Sequence, residues 1–151
     1  RARKTSGLID IAKTAAHRIA DFWDPIITDP HRRELVLEPE EFYILASGEP
    51  IFASADEAAE LVAYDTAVGE IRVHQAGFVD PFYGMTDDRP NGSRLVLEVR
   101  GHDVPFLLSH GQRVGTLVYE KMAETPDTLY GAALGSNYQG QHLKLSKHFA
   151  A

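Results

Sequence analysis

The chain lacks cysteine, a long apolar run and an excess of basic residues, and each absence excludes a class of protein. Without cysteine there is no disulfide framework and no thiolate metal site. No stretch of about 18 consecutive apolar residues occurs, so the sequence predicts no membrane span, and no signal peptide is evident. We therefore expect a cytoplasmic protein. A net charge of −7 disfavours a surface for nucleic acid or an anionic membrane.

Length and composition indicate one globular domain. With 151 residues, 44% of them hydrophobic, the chain can bury a core of its own. Because residue 1 is arginine rather than methionine, we expect a domain cut from a longer polypeptide, although a missing start is equally compatible. The sequence divides into a linker or helical segment at 1–30, a β-rich domain at 31–125 and a polar, glycine-rich, irregular tail at 126–151.

Two segments have helical patterns. Apolar residues across 8–23 fall on one face of a helix that Asp24-Pro25 would end. The alternative for this segment is an irregular linker that docks through Phe22 and Trp23. Ser54, with Glu57 three residues later, has the spacing of a capping box and predicts a helical turn over 54–60.

Short strands account for most of the remaining pattern. Candidate strands recur at intervals typical of an all-β barrel or sandwich. They lie at 35–37, 42–46, 61–64, 70–74, 104–108 and 116–121.

Two carboxylates occupy positions from which they could face a ligand. In 94–100 the side chains alternate, which places Glu98 on the opposite face from Leu97 and Val99. Such a glutamate lies either on the solvent face or in a pocket. Asp80 precedes Pro81 and is expected at a strand end or corner, where it could bind a ligand or stabilise the turn as an Asx motif.

Four motifs, in order, resemble those of the trimeric dUTPase and dCTP deaminase superfamily. Residues 76–84, Ala-Gly-Phe-Val-Asp-Pro-Phe-Tyr-Gly, are similar to its Ala-Gly signature. Residues 95–99, Leu-Val-Leu-Glu-Val, resemble the strand that carries the catalytic glutamate of dCTP deaminases. Residues 111–117 resemble the turn and strand that follow, and Tyr130 with 136–141 resembles the C-terminal nucleotide-binding segment. The likeness covers roughly 44–141 and is strongest to the C-terminal half of long, two-domain bacterial dCTP deaminases.

The resemblance implies a fold, an assembly and a reaction. The fold is an all-β, dUTPase-like distorted jelly-roll barrel with short helical segments and an irregular, nucleotide-binding tail, assembled as homotrimers or pseudo-trimers. The reaction converts dCTP and water to dUTP and ammonia, with Glu98 as general acid and base. Asp80 would bind the deoxyribose 3′-hydroxyl, and Tyr83 would stack under the sugar or serve as a core aromatic. The other implied substrate contacts are Ala76, Val96, Leu97, Tyr130, Asn137 and Gln141.

The sequence departs from the family pattern at two places that concern phosphate. Asn137 stands where many members have a phosphate-binding lysine, and Lys144 and Lys147 either substitute for it or are solvated. The segment 63–74 lacks the Ser-Ser and arginine of the family's phosphate clamp, and Asp65 and Glu70 would repel phosphate. We therefore expect a partner domain or subunit to complete the site.

The chemistry of cytosine deamination fits a carboxylate without a resident metal. Water must attack C4 and ammonia must leave, and one carboxylate in a partly desolvated pocket can take and return the protons. Zinc deaminases instead rely on a Cys-x-x-Cys signature, which this chain lacks. The resembled family is zinc-independent, so no tightly bound cofactor is expected, and Mg²⁺ would arrive only with the substrate triphosphate. The scattered histidines show no metal-site spacing.

Rival functions remain open from the sequence. The loss of the phosphate clamp favours a non-catalytic dUTPase-like scaffold or nucleotide-sensing domain, whereas Glu98 and its pocket neighbours favour an enzyme. A bifunctional dCTP deaminase and dUTP diphosphatase also fits Asp80 and Tyr83. A third alternative is an unrelated jelly-roll ligand-binding module.

Overall fold

The computed structural model describes residues 1–63, 72–73, 77–87, 89–101 and 103–150, and β-strands dominate them. The helical content of these residues is α1 (Ile19–Phe22) and a 3-10 turn (Ala132–Leu134). The prediction of an all-β fold is therefore confirmed. The strands are β1 (His17–Arg18), β2 (Glu34–Leu37), β3 (Phe42–Ala46), β4 (Glu57–Ala63), β5 (Arg72–Val73), β6 (Phe78–Val79), β7 (Met85–Thr86), β8 (Arg89–Pro90), β9 (Val96–Arg100), β10 (Phe106–Ser109), β11 (Gly115–Lys121) and β12 (Phe149–Ala150).

The strands of the described residues pair into five small sheets, and four of these join strands that are distant in sequence. Two have three strands, in the orders β3-β9-β5 and β11-β4-β6, and all their pairings are antiparallel. The pairs β10-β2 and β7-β8 are also antiparallel. The parallel pair β1-β12 brings the C-terminal end of the chain to its N-terminal segment.

Alternation along the strands builds the core. In β9, Leu97 and Val99 are buried whereas Glu98 is exposed, as the period of two predicts. Val99 lies opposite Tyr43 of β3, and each side chain is 1% exposed. One core cluster comprises Leu37, Tyr43, Leu97 and Val99, and a second comprises Ala53, Ala59, Val79 and Tyr83.

The prediction of a helix over 8–23 is wrong except at α1. Leu8 is 97% exposed, so the apolar spacing does not bury a helical face there. Instead, Phe22 and Trp23 dock onto the barrel, with ring centroids 5.6 and 6.1 Å from that of Phe149. The ring of Trp23 also lies 6.0 Å from that of Phe42. The alternative of an irregular segment docked through Phe22 and Trp23 describes this region.

The helical turn predicted over 54–60 is also wrong. Ser54 does act through its side chain, but its hydroxyl donates to the carboxylates of Asp56, at 2.7 Å, and Glu57, at 2.8 Å. Strand β4 then begins at Glu57 and pairs with β11 and β6. Pairing on both edges offers this backbone more hydrogen bonds than one isolated helical turn, so tertiary structure overrides the local signal.

The described residues contain no membrane-spanning helix and no cluster of metal ligands. No helix among them is long and apolar enough to cross a bilayer. Within the same residues, no group of three or more histidine, aspartate or glutamate side chains is arranged to hold a metal ion.

Candidate functional site

Residues 80–85 form a turn directly after β6, which we call the signature turn. Asp80 takes its predicted place at the strand end, and its carbonyl accepts a hydrogen bond from the Tyr83 amide at 3.0 Å. Phe82 has a φ of +75° and Gly84 a φ of +68°. A β-carbon on Gly84 would lie 2.1 Å from the carbonyl oxygen of Ile51, so only glycine fits this close approach. The left-handed backbone at Phe82 is a strained conformation of the kind found at ligand sites.

Tyr83 joins this turn to the core and to the tail. Its side chain is 6% exposed, and its hydroxyl donates to the carbonyl of Arg94 at 2.7 Å. Burial raises the pKa of the Tyr83 phenol, and the hydrogen bond from Gln141 opposes this rise. Tyr83 is therefore a core aromatic whose hydroxyl anchors other parts of the site.

Tyr130 lies beside Tyr83 and close to Asp80. Its amide donates to the carbonyl of Pro81 at 3.1 Å, and its ring centroid is 5.6 Å from that of Tyr83. Burial is the largest cause of the raised pKa of Tyr130, and the neighbouring Tyr83 and Asp80 raise it further. A hydrogen bond from the backbone of Tyr138 opposes the shift. Asp80 is exposed, and its charge is close enough to the Tyr130 phenol to affect its pKa.

The tail glutamine Gln141 completes this group. Its Nε2 donates to the Tyr83 hydroxyl at 3.2 Å and to the Arg94 carbonyl at 3.1 Å. The Arg94 amide in turn donates to the Gln141 carbonyl at 2.9 Å. The Oε1 atom of Gln141 is buried and has no hydrogen-bond partner among the described residues. A buried acceptor of this kind is costly until a ligand or water donates to it.

Sequence reasoning missed Gln139 and Ser93. The Gln139 side chain bonds to the backbone of the signature turn, and the fully buried Ser93 hydroxyl accepts from the Gly140 amide at 2.7 Å. The run Tyr-Gln-Gly-Gln at 138–141 resembles the family's nucleotide-binding segment and so indicated that the tail as a whole belongs to the site. It does not reveal which glutamine faces the turn, because that depends on contacts with residues more than forty positions away.

Glu98 lies in the central strand of a different sheet. It is exposed and stands opposite Ile44 of β3, with Val96 on the same face of β9. The side chain of Leu97 packs in the core, so Leu97 can contact a ligand on the Glu98 face only through its backbone. The link to the Asp80 group is Arg94, whose carbonyl holds both Tyr83 and Gln141 just before β9 begins.

Two predicted contacts remain, Asn137 and Ala76. Asn137 is exposed, and its carbonyl accepts from the Lys144 ammonium at 2.7 Å, which places that cation 6.0 Å from the ring centroid of Tyr138. Ala76 lies outside the described residues. So do Asp65 and Glu70, which belong to the segment that lacks the family's phosphate clamp.

A large cavity elsewhere in the domain does not coincide with this group. It has a volume of about 1350 Å³, and its wall combines core residues such as Leu97 and Val99 with polar residues such as Arg33 and Gln112. Leu97 is the one predicted site residue in its wall, and the Asp80 turn is not part of it. The candidate site is therefore the group around Asp80, of which Asp80 itself is exposed, together with the Glu98 face of β9.

Comparisons with known proteins identify the family. Among curated proteins none matches this chain. The family model described as the C-terminal domain of 2′-deoxycytidine 5′-triphosphate deaminase matches residues 1–149. The crystal structure of 2′-deoxycytidine 5′-triphosphate deaminase from Agrobacterium tumefaciens is similar, with 48% sequence identity and a TM-score of 0.75.

The match to that structure covers 83% of this chain and 37% of that chain, so the present chain spans little more than a third of the similar enzyme's length. The likeness confirms the dUTPase-like all-β fold that the sequence motifs implied. The chain belongs to the family of C-terminal domains of dCTP deaminases.

Proposed function

We propose that this chain forms part of a dCTP deaminase that converts dCTP and water to dUTP and ammonia. The observation that carries the proposal is the assembly of Asp80, Tyr83, Tyr130 and Gln141 at the end of β6, reached from separate parts of the chain. This group has the sequence motifs of the family and brings a carboxylate, two phenols and an amide to the end of β6. These are groups that recognise a sugar hydroxyl and a base edge.

Glu98 supplies the proton transfers in this proposal. Its carboxylate takes one proton from water as the oxygen attacks C4 of cytosine and passes that proton to N3. It then takes the second proton from the new C4 hydroxyl and passes it to the departing amine. The C4–N4 bond then breaks, ammonia leaves and uracil remains. No redox partner is needed. The absence of cysteine from the sequence supports a zinc-independent route, and Mg²⁺ enters with the substrate triphosphate.

The binding roles follow from the chemistry of each group. The Asp80 carboxylate accepts the hydrogen bond of the deoxyribose 3′-hydroxyl, with Tyr130 beside the sugar. The unpartnered Oε1 of Gln141 accepts an N–H from the nucleotide. Val96, the backbone of Leu97 and Ala76 border the base. Asn137 lies near the phosphates but carries no charge to neutralise them.

The site is composite in this proposal. A carboxylate that exchanges protons near neutral pH needs shielding from water, yet Glu98 is exposed in this chain. Nothing in 63–74 replaces the phosphate clamp of the family motif, and Asp65 and Glu70 oppose phosphate binding. A second dUTPase-like domain or subunit, in a trimer or pseudo-trimer, therefore covers Glu98 and supplies the cationic clamp.

One observation favours a second candidate. The exposure of Glu98 and the acidic residues in place of the clamp also suit a non-catalytic domain that scaffolds a catalytic twin or senses a nucleotide. The two candidates separate on whether Glu98 is required for turnover.

The test measures ammonia release from dCTP with Mg²⁺. It uses this chain alone, the chain with the clamp-bearing domain of a two-domain relative, and that mixture with Glu98→Gln. The matched control is Glu60→Gln, which changes an exposed glutamate of β4. Activity in the mixture, kept in the control and lost with Glu98→Gln, supports the proposal. Turnover that survives Glu98→Gln, or no turnover in any mixture, supports the scaffold.

A further inference from the structure

Three backbone groups of the signature turn are satisfied by one side chain from the tail. The Gly84 amide donates to Oε1 of Gln139 at 2.9 Å, and Nε2 of Gln139 donates to the carbonyls of Phe82, at 3.1 Å, and Met85. These partners fix the orientation of the amide, because a flipped amide would direct its oxygen at two carbonyls. The Gln139 side chain is thus committed to the turn rather than to a ligand.

The backbone next to Gln139 is anchored to the opposite side of the same site. The Gly140 amide donates to the buried hydroxyl of Ser93, and Gly140 has a φ of +67°. Gln141 then bonds to Tyr83 and Arg94. Three consecutive tail residues therefore bridge the signature turn to the segment that leads into β9.

The turn that Gln139 holds is one that needs support. Phe82 adopts a left-handed backbone that a phenylalanine seldom takes, and its amide is held at 3.2 Å by the carbonyl of Ser54. Its carbonyl faces Gln139 on the other side. Strained conformations persist only where surrounding contacts over-determine them. Asp80, two residues earlier, belongs to the same turn, because its carbonyl accepts from the Tyr83 amide.

From these contacts we propose that Gln139 is a positioning residue for the nucleotide site. When the Gln139 side chain makes its hydrogen bonds to the signature turn, it stabilises the turn that positions Asp80. The same arrangement of the tail brings Gln141 to Tyr83. The ligand-facing groups of the turn and of the tail are therefore formed together, as one cooperative unit. Glu98 lies on another sheet, so its chemistry does not depend on Gln139 once substrate is bound.

The first test of this unit is amide exchange of the chain alone, and it is independent of activity. In Gln139→Met, exchange at Gly84 is expected to accelerate about 10-fold or more, because the amide loses its acceptor and the turn opens locally. Gly140→Ala gives a second variant that removes no side chain: its cost comes from the positive φ at Gly140, where the nearest atom to a new β-carbon is 3.8 Å away. It should expose Gly84 in the same way.

Gln112→Met is the matched control. Gln112 also accepts a backbone hydrogen bond, from Ser109 at 3.0 Å, but in the turn between β10 and β11. This variant should leave exchange at Gly84 unchanged. Full protection of Gly84 in both Gln139→Met and Gly140→Ala would overturn the cooperative unit.

The second test is kinetic and rests on the proposed function. In the mixture that deaminates dCTP, Gln139→Met should raise KM about 10-fold while kcat stays within about threefold, because binding geometry is lost and proton transfer is kept. A fall in kcat with unchanged KM would place Gln139 in the chemistry and contradict the positioning role. Absence of turnover in every mixture refutes the proposed function, whereas the exchange result still decides the inference about Gln139.

Discussion

Replacing Gly84 with alanine tests the geometry of the signature turn. The new β-carbon would lie 2.1 Å from the Ile51 carbonyl oxygen, closer than β-carbons approach other atoms in real structures. Relief requires the turn or the 51–53 segment to move by roughly 1 Å. That movement would disturb the bond from the Gly84 amide to Gln139 and the 2.7 Å bond from the Asn91 amide to the Gly84 carbonyl.

Two other glycines separate the contributions to the cost. Gly111 has a φ of +80° with no described atom within 4 Å of a new β-carbon, so Gly111→Ala measures the left-handed backbone alone, about 0.5–1.5 kcal/mol net of the unfolded-state gain. At Gly101 the φ is not in the left-handed region, but the β-carbon would lie 2.0 Å from the Glu38 carbonyl oxygen. Gly101→Ala measures close approach, about 1–3 kcal/mol. Gly84→Ala combines both and should cost about 3–5 kcal/mol when a hydrogen bond is lost as well.

Urea unfolding of the three variants measures these free energies. The slope with denaturant should stay constant, so that shifts of the midpoint report stability alone. By thermal unfolding, the gap between Gly84→Ala and Gly111→Ala should be roughly 3–18 °C, since the two costs differ by about 1.5–4.5 kcal/mol and 1 kcal/mol corresponds to about 2–4 °C for a chain of this size. If the two variants agree within about 0.5 kcal/mol, the close approach of Gly84 to Ile51 is refuted.

Two further predictions concern polar groups in the fold. Tyr83→Phe should lower stability by only about 1 kcal/mol in urea unfolding, because Gln141 still donates to the Arg94 carbonyl. Because burial raises the pKa of Tyr83, the neutral phenol stabilises the fold fully below pH of about 10, and this stabilisation is lost as the pH rises. Tyr83→Phe cannot ionise at this position, so its free energy of unfolding should fall less than that of wild type in alkaline buffer. Lys4 bonds Glu41 and lowers its pKa, so this contribution is complete above pH of about 4 and is lost as pH falls; Glu41→Gln should flatten the acid unfolding curve.

The alternation of side chains along one strand and the strand end at Asp80 could be predicted from the sequence alone. Alternation in 94–100 placed Glu98 opposite Leu97 and Val99, and the structure confirms this arrangement because one face of β9 is buried. The position of Asp80 after a strand was also predicted, since Pro81 cannot donate to a ladder.

The helix over 8–23 could not be rejected from the sequence. Two of its apolar residues, Phe22 and Trp23, instead pack against Phe149, which is distant in sequence. Gln139 and Ser93 were missed for the same physical reason. Their roles depend on hydrogen bonds between segments that are distant along the chain, and no local period encodes which tail residue meets which turn.

The most direct test of the central claim separates binding from chemistry at Glu98. Single-turnover conversion of bound dCTP to dUTP would be measured in the complementing mixture with wild type, Glu98→Gln and the Glu60→Gln control. The account predicts that Glu98→Gln binds dCTP within about threefold of wild type but converts it at least about 100-fold more slowly, because only the proton transfers are removed. Conversion at the wild-type rate by Glu98→Gln would contradict the assignment of Glu98 as the general acid and base.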